Sequence, residues 1–193
     1  MKAEIETMGG RYFNLADPKP EEVVLEDVAT ALANQSRFNG FVTESCSIAR
    51  HAVLTAWLVL KQGHSIDVAL AALHHDSHEA YTGDITTPMK RMIGEDRLGP
   101  IVDRIDAAIA EAFGINPHLF GDPAIKAADT LALRLEARDV KQSQGAGPHW
   151  GWDEPVEPIE GAPNEDKLDA YQAAVLFMGT HRTIVKTIER RND

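Results

Sequence analysis

An all-α fold is what this sequence predicts, on three observations. Apolar residues recur at the spacing of a helix face. Val, Ile and Thr rarely gather into the alternating runs that a half-buried strand needs. Helix start and stop signals punctuate the chain, with Pro88 and Pro123 opening segments and Gly94 and Gly114 closing them. The length, 193 residues, suits one domain with a proper core, and no internal repeat or second domain is evident. Six or seven helices are expected.

Taken in order, residues 1–19 read as an irregular arm ending in Asp17-Pro18-Lys19-Pro20. Within it, Gly9-Gly10-Arg11 is too short for a phosphate loop and reads as a turn. A first helix is expected over 21–33, then a loop over 35–44 that holds Arg37-Phe38-Asn39-Gly40. The second helix spans 47–61 and closes near Gly63. The third runs over 65–81. It is apolar on nearly every face from Val68 to Leu73, which predicts a central, buried helix. Gly83 ends it. Thr87-Pro88 has the form of an N-cap followed by proline at the first helical position, and this short helix stops at Gly94. The next covers 98–113, with Gly114 as terminator. Asp122-Pro123 opens a helix reaching about 141. Residues 143–163, rich in Gly and Pro, form a long loop. A last helix lies within 164–191, running from about Glu165 to Arg190, with its acidic start and basic end matched to the helix dipole.

Bulk composition narrows the function. Hydrophobic residues at 44% and charged residues at 25% are ordinary for a globular chain, so disorder and membrane classes recede. The net charge of -11 opposes binding to a nucleic-acid polymer, whose phosphates would be repelled. A small phosphorylated ligand stays compatible, since a metal ion and one or two arginines neutralise phosphate locally. The single cysteine, Cys46, excludes an internal disulfide and fits a reducing compartment. The start, MKAEIETMGGRYF, lacks the apolar core of a signal peptide, and no apolar run approaches the ~20 residues of a membrane span. A cytoplasmic protein is expected.

The chemistry-bearing signal is His74-His75-Asp76-Ser77-His78-Glu79, set in an Ala/Leu-rich helix. Polar groups there must be hydrogen-bonded, ion-paired or bound to metal. On a helix, His75 and Asp76 point about 100° apart and can share one ion beside it. Glu79 lies one turn past His75 on the same face, within reach of an attacking water. His74 and His78 fall on another face and read as solvated or, as the alternative, as partners standing behind the ligands. The same string also fits a polar, solvent-facing helix end. His51 borders an apolar stripe and can be a satisfied core histidine. Asp129 sits in the middle of the inward stripe Ile125, Ala128, Ala132 and Leu135. A carboxylate there calls for a cation, either a metal or a salt bridge to Arg134, Arg138 or another helix.

Together, His51, His75-Asp76 and Asp129 resemble the signature of the HD-domain superfamily of metal-dependent phosphohydrolases. The stretch from His75 to Asp84, followed by Thr87-Pro88-Met89-Lys90, resembles the bacterial 5'-deoxynucleotidase subgroup. Arg37-Phe38-Asn39-Gly40 and Glu136-Ala137-Arg138-Asp139 resemble segments of related phage and bacterial HD proteins. The likeness covers roughly residues 9–143. His78 and Phe41 depart from it, standing where a small residue and a histidine are expected.

The resemblance implies one divalent metal ion (Mn, Co, Fe, Ni, Zn or Mg) held by His51, His75, Asp76 and Asp129. It assigns Glu79 to the attacking water and Asp84 to the sugar or leaving oxygen. It gives Arg37 to the phosphate, with Phe38, Asn39, Thr87 and Lys90 as further substrate contacts. The implied reaction is hydrolysis of (deoxy)nucleoside 5'-monophosphates to nucleoside and phosphate. A triphosphohydrolase and a non-catalytic nucleotide sensor are the alternatives. A homodimer is expected, through apolar faces near 98–113 or 164–190. Trp150 and Trp152 lie beyond the matched part and read as a packed loop.

Overall fold

The computed structural model describes residues 3–163 and 167–193. The fold is mainly helical, as predicted. Its elements are α1 (Leu25–Asn34), α2 (Ile48–Lys61), α3 (Ile66–His74), α4 (Glu79–Thr82), α5 (Thr87–Ile93), α6 (Glu95–Phe113), α7 (Pro123–Val140) and α8 (Ala170–Asn192). The N-terminal arm departs from expectation. It forms a two-stranded antiparallel hairpin, β1 (Glu4–Glu6) against β2 (Tyr12–Asn14), with Ile5 opposite Phe13. Phe13 is fully buried and stacks on Tyr81 at 3.6 Å between ring centroids. The Gly9-Gly10 turn is anchored by buried Asp27, which accepts bonds from Thr7 Oγ1 at 2.7 Å and the Gly9 amide at 2.8 Å. Three-residue strands carry too little alternation to stand out in sequence.

α2 is the organising element. It packs against α1, α3, α7 and α8, and it buries most of its length from Ile48 to Val59. α3 lies beside it, with every residue from Val68 to His74 buried, as its all-round apolar pattern predicts. Ser47 and Ser65 cap the two helices through their hydroxyls. α8 covers α1, α2 and α3.

Several boundaries differ from expectation for local reasons. The first expected helix divides into a short 3-10 turn at Pro20–Glu22 and then α1, because Val23 and Val24 are extended. Thr86, rather than Thr87, stands at the N-cap of α5. α6 begins at Glu95 and carries Pro100 as its sixth residue, where the ring removes one helical amide bond, to the Asp96 carbonyl. The predicted start of the last helix near Glu165 lies outside the described residues. Its observed start, Ala170, follows a capping box in which Asp169 accepts from the Gln172 amide at 2.8 Å.

The third predicted helix is not continuous. α3 stops at His74, four turn residues follow, and α4 begins at Glu79. The backbone stays near helical angles at His75 and His78, but its bonds tighten to the i→i+3 kind. Ser77 donates to the His74 carbonyl and Glu79 to that of Asp76, both at 3.0 Å. Gly83 then turns the chain away with φ 79°, a conformation that a Cβ would strain.

Candidate metal centre

Four side chains from three segments meet at one point. α2 supplies His51, the α3–α4 turn supplies His75 and Asp76, and α7 supplies Asp129. One ligand atom from each of His51, His75 and Asp76 lies within 4.8 Å of the others. His51 Nε2 is 3.7 Å from Asp76 Oδ2 and 3.2 Å from Asp129 Oδ1. His75 Nε2 is 3.3 Å from Asp76 Oδ2 and 3.9 Å from Asp129 Oδ1. Two imidazoles and carboxylates at such spacing form a group able to hold a divalent cation.

The opposite ring nitrogens decide which lone pairs face the centre. His75 Nδ1 donates to the Ala72 carbonyl at 2.7 Å, an acceptor that permits no other role. His51 Nδ1 lies 3.1 and 3.2 Å from the two oxygens of Glu136, a fully buried carboxylate that burial opposes but His51 and Arg37 keep ionised. In its neutral form each ring therefore carries its proton on Nδ1 and aims the Nε2 lone pair inward. Both Nε2 atoms are buried and have no hydrogen-bond partner among the described residues. Buried polar atoms without partners are costly, and a cation between them removes that cost. The ordering of a ligand histidine by a carboxylate or carbonyl is the usual support of a metal site. The residues fit a metal.

The local field points the same way. Burial and Arg37 disfavour protonation of His51, yet Glu136 and Asp129 outweigh them and lift it to about 9. Asp129 stays well below the usual carboxylate range despite burial, held down by His51, His75 and Lys126. Asp76 is held ionised by His75 and His51. Surplus negative charge around two imidazoles attracts a positive charge of any kind. Asp129 pairs with Lys126 Nζ at 2.9 Å on its own helix and with His51 on α2 at 3.2 Å, while Arg134 and Arg138 have other partners.

Glu79 is 3% exposed. Burial, then Asp76 and Asp84, raise its carboxyl to about 7. Its Oε1 is 3.3 Å from Lys90 Nζ, and its buried Oε2 has no bonded partner among the described residues. Lys90 thus reaches the site from α5 through Glu79. Asp84 is half-buried near Glu79, and its amide donates to Gln35 Oε1 at 3.2 Å. Arg37 spans the site's rim, with Nη1 3.8 Å from Asp76 and Nε 3.0 Å from Glu136. Phe38 follows beside it, in the left-handed region at φ 58°. Asn39 shares that conformation but is exposed, as is Thr87, and neither makes a described contact with the cluster.

Two sequence expectations are corrected. His74 and His78 are buried, not solvated. His74 bonds Ser77 Oγ and His181 Nδ1, both at 2.9 Å, and His78 donates to Asp106 Oδ1 at 3.1 Å. Glu136 is a functional neighbour that sequence reading left without a role. Its signal was available, because a glutamate one residue after Leu135 lies at the edge of an inward stripe, seven residues past Asp129. Clefts of about 380 Å³ and 260 Å³ lie elsewhere, the first meeting this region only through Asp106. Chemistry, not cavity size, locates the site.

No family model matches the chain. It is 34% identical to YfdR, an uncharacterized protein of Escherichia coli strain K12, over 170 residues that cover 88% of this chain and 86% of that one. It is 39% identical to an uncharacterized protein of Rhodobacter capsulatus over 140 residues, 69% of this chain and 70% of the relative.

Proposed function

This chain belongs to the family of YfdR, and we propose that it is an HD-type, metal-dependent phosphohydrolase acting on (deoxy)nucleoside 5'-monophosphates. One observation carries the reading. Two buried Nε2 atoms, of His51 and His75, have no hydrogen-bond partner among the described residues and converge on Asp76 and Asp129. These four residues, in the order His, His-Asp, Asp, would hold the ion. Their nitrogen and oxygen donors suit Mn, Fe, Co, Ni or Zn. When bound, such a cation supplies Lewis-acid chemistry, making water more acidic and screening phosphate charge.

The chain's own groups do the rest. Glu79, with its carboxyl near neutrality, accepts a proton from water as that oxygen attacks phosphorus. Lys90 restrains Glu79 and keeps its carboxylate form accessible. Arg37 remains charged, because Glu136 and Asp76 offset its burial, and its outer N–H groups meet the phosphoryl oxygens. The P–O bond to the sugar breaks, and the proton taken up by Glu79 passes to the leaving oxygen, with Asp84, whose charge acts on Glu79, as the second candidate carrier. Products are a nucleoside and phosphate.

The test is phosphate release from deoxy- and ribonucleoside mono- and triphosphates, with Mn, Co, Mg, Ni and Zn in turn. Release of monophosphate from dNMP is expected, with Asp76→Ala lowering the rate at least ~100-fold, as loss of a group acting on the transition state does. Pyrophosphate or triphosphate as the product would move the activity to nucleoside triphosphates. No release from any nucleotide with any metal would end the reading.

A further inference from the structure

We infer that the loop of residues 143–163 carries a seat for the substrate's nucleobase, a stacking surface built by Trp150, Trp152 and Phe38 beside the metal centre. The inference deepens the phosphohydrolase reading and rests on it for the identity of the ring.

The two tryptophans are placed rather than loose. The Gly147 amide donates to the Trp152 carbonyl at 2.7 Å, and Gly147 and Gly151 take φ 102° and 75° to close the turn between them. Trp150 Nε1 donates to Ser143 Oγ at 2.9 Å, which fixes the ring. The indoles lie 6.3 Å apart, within 23° of parallel. Both are partly buried, and neither joins the hydrophobic core.

Position ties this surface to the chemistry. Phe38 meets Trp150 edge-on at 6.2 Å. Arg37, the residue before Phe38, reaches Asp76 at 3.8 Å. On the other side, the Arg134 guanidinium lies over Trp152 at 4.9 Å, and Arg134 stands on α7 five residues beyond Asp129. The aromatic surface is thus bounded at one end by Arg37, at the rim of the metal centre, and at the other by α7, which carries Asp129. The consecutive left-handed residues Phe38 and Asn39, at φ 58° and 52°, are a strained arrangement of the kind that positions a functional side chain.

The surface suits one planar, polarizable ring with polar edges. Arg37 and Lys141 both approach the face of Phe38, at 5.6 and 5.3 Å. Arg134 donates through Nη2 to the Glu154 carbonyl, which holds its guanidinium over Trp152. Every nucleobase offers a π-face for stacking and carbonyl or ring-nitrogen acceptors at its rim. The overall charge of -11 limits the ligand to a single nucleotide rather than a polymer.

The experiment uses the full chain and 2'-deoxyadenosine, a ligand without phosphate, in titration calorimetry. Saturable binding is expected. Trp152→Leu should weaken it about tenfold or more, the scale of one lost stacking contact, and Trp152→Phe should recover most of the loss. In parallel, Trp152→Leu should raise KM for dAMP with little change in kcat, leaving 2-deoxyribose 5-phosphate unaffected. Equal nucleoside affinity in the native and Trp152→Leu proteins, or no saturable binding, would overturn the inference even where dAMP is hydrolysed. Binding that depends on Trp152 without any hydrolysis would keep the base seat and remove the phosphohydrolase reading.

Discussion

Glu136 shows how much of a site depends on a residue that touches no ligand. Its carboxylate accepts from His51 Nδ1 and pairs with Arg37, so it fixes the tautomer of the one and the position of the other. With it removed, His51 is free to turn or to place its proton on Nε2, and Arg37 loses a buried partner. Glu136→Gln keeps the shape and an acceptor but deletes the charge. The expected result is metal affinity lowered roughly 10- to 100-fold, the usual cost of losing an ordering partner. Competition against a colorimetric chelator would measure it. Unchanged affinity would show that His51 is oriented by packing alone. Cys46 makes the contrasting case. It lies against the same charged group, but burial raises its thiol pKa, so it offers no thiolate nucleophile.

At the scale of elements, α3 and α8 are joined by a buried pair of imidazoles, His74 and His181, 2.9 Å apart. Phe113 and Phe177 pack on these rings. Burial, His181 and His75 hold His74 well below its ordinary 6.5. Burial and Arg182 lower His181, while Glu26 opposes. Both are neutral in the folded chain, and the unfolded chain takes up protons below about 6.5. Stability is therefore fully present above that pH and declines as pH falls beneath it. His181→Gln keeps a hydrogen-bonding group and removes one titration, so its thermal midpoint should fall less steeply between pH 7 and pH 5 than that of the native protein. Parallel profiles would exclude the pair as a source of acid sensitivity.

These elements also show what a sequence discloses. The burial of α3, the Asp122-Pro123 start of α7 and the inward stripe around Asp129 follow from periodicity and capping, which are local. The placement of His51, His75, Asp76 and Asp129 together agrees with their order along the chain. The break after His74 was not legible, because His75 and His78 keep helical dihedrals and only the hydrogen-bond partner changes. The partners of His74 and His78 come from α8 and α6, residues distant in sequence, so helix-face arithmetic misjudged them as solvated. The hairpin of the arm draws on partners distant in sequence, Tyr81 under Phe13 and Asp27 at the turn.

For the molecule as a whole, the candidate ligands join distant parts of one chain. His51 on α2, His75 and Asp76 after α3, and Asp129 on α7 are brought together only by folding. The unfolded chain has no such site, so a bound cation stabilises the native state alone. At a free metal concentration one hundred times Kd, the gain is about 2.7 kcal/mol. For a domain of this size, that raises the thermal midpoint by about 5–10 °C. Scanning calorimetry with Mn, Co, Ni or Zn should find the rise, and a chelator should reverse it. Asp129→Ala removes one ligand and also the partner of Lys126 and His51, so its midpoint without metal will change for unrelated reasons. The informative quantity is the increment on adding metal, which should shrink to a small fraction of the native increment in Asp129→Ala. An equal increment in both proteins would place the cation on surface groups. No increment with any of these metals would mean that the two inward Nε2 atoms serve some other partner.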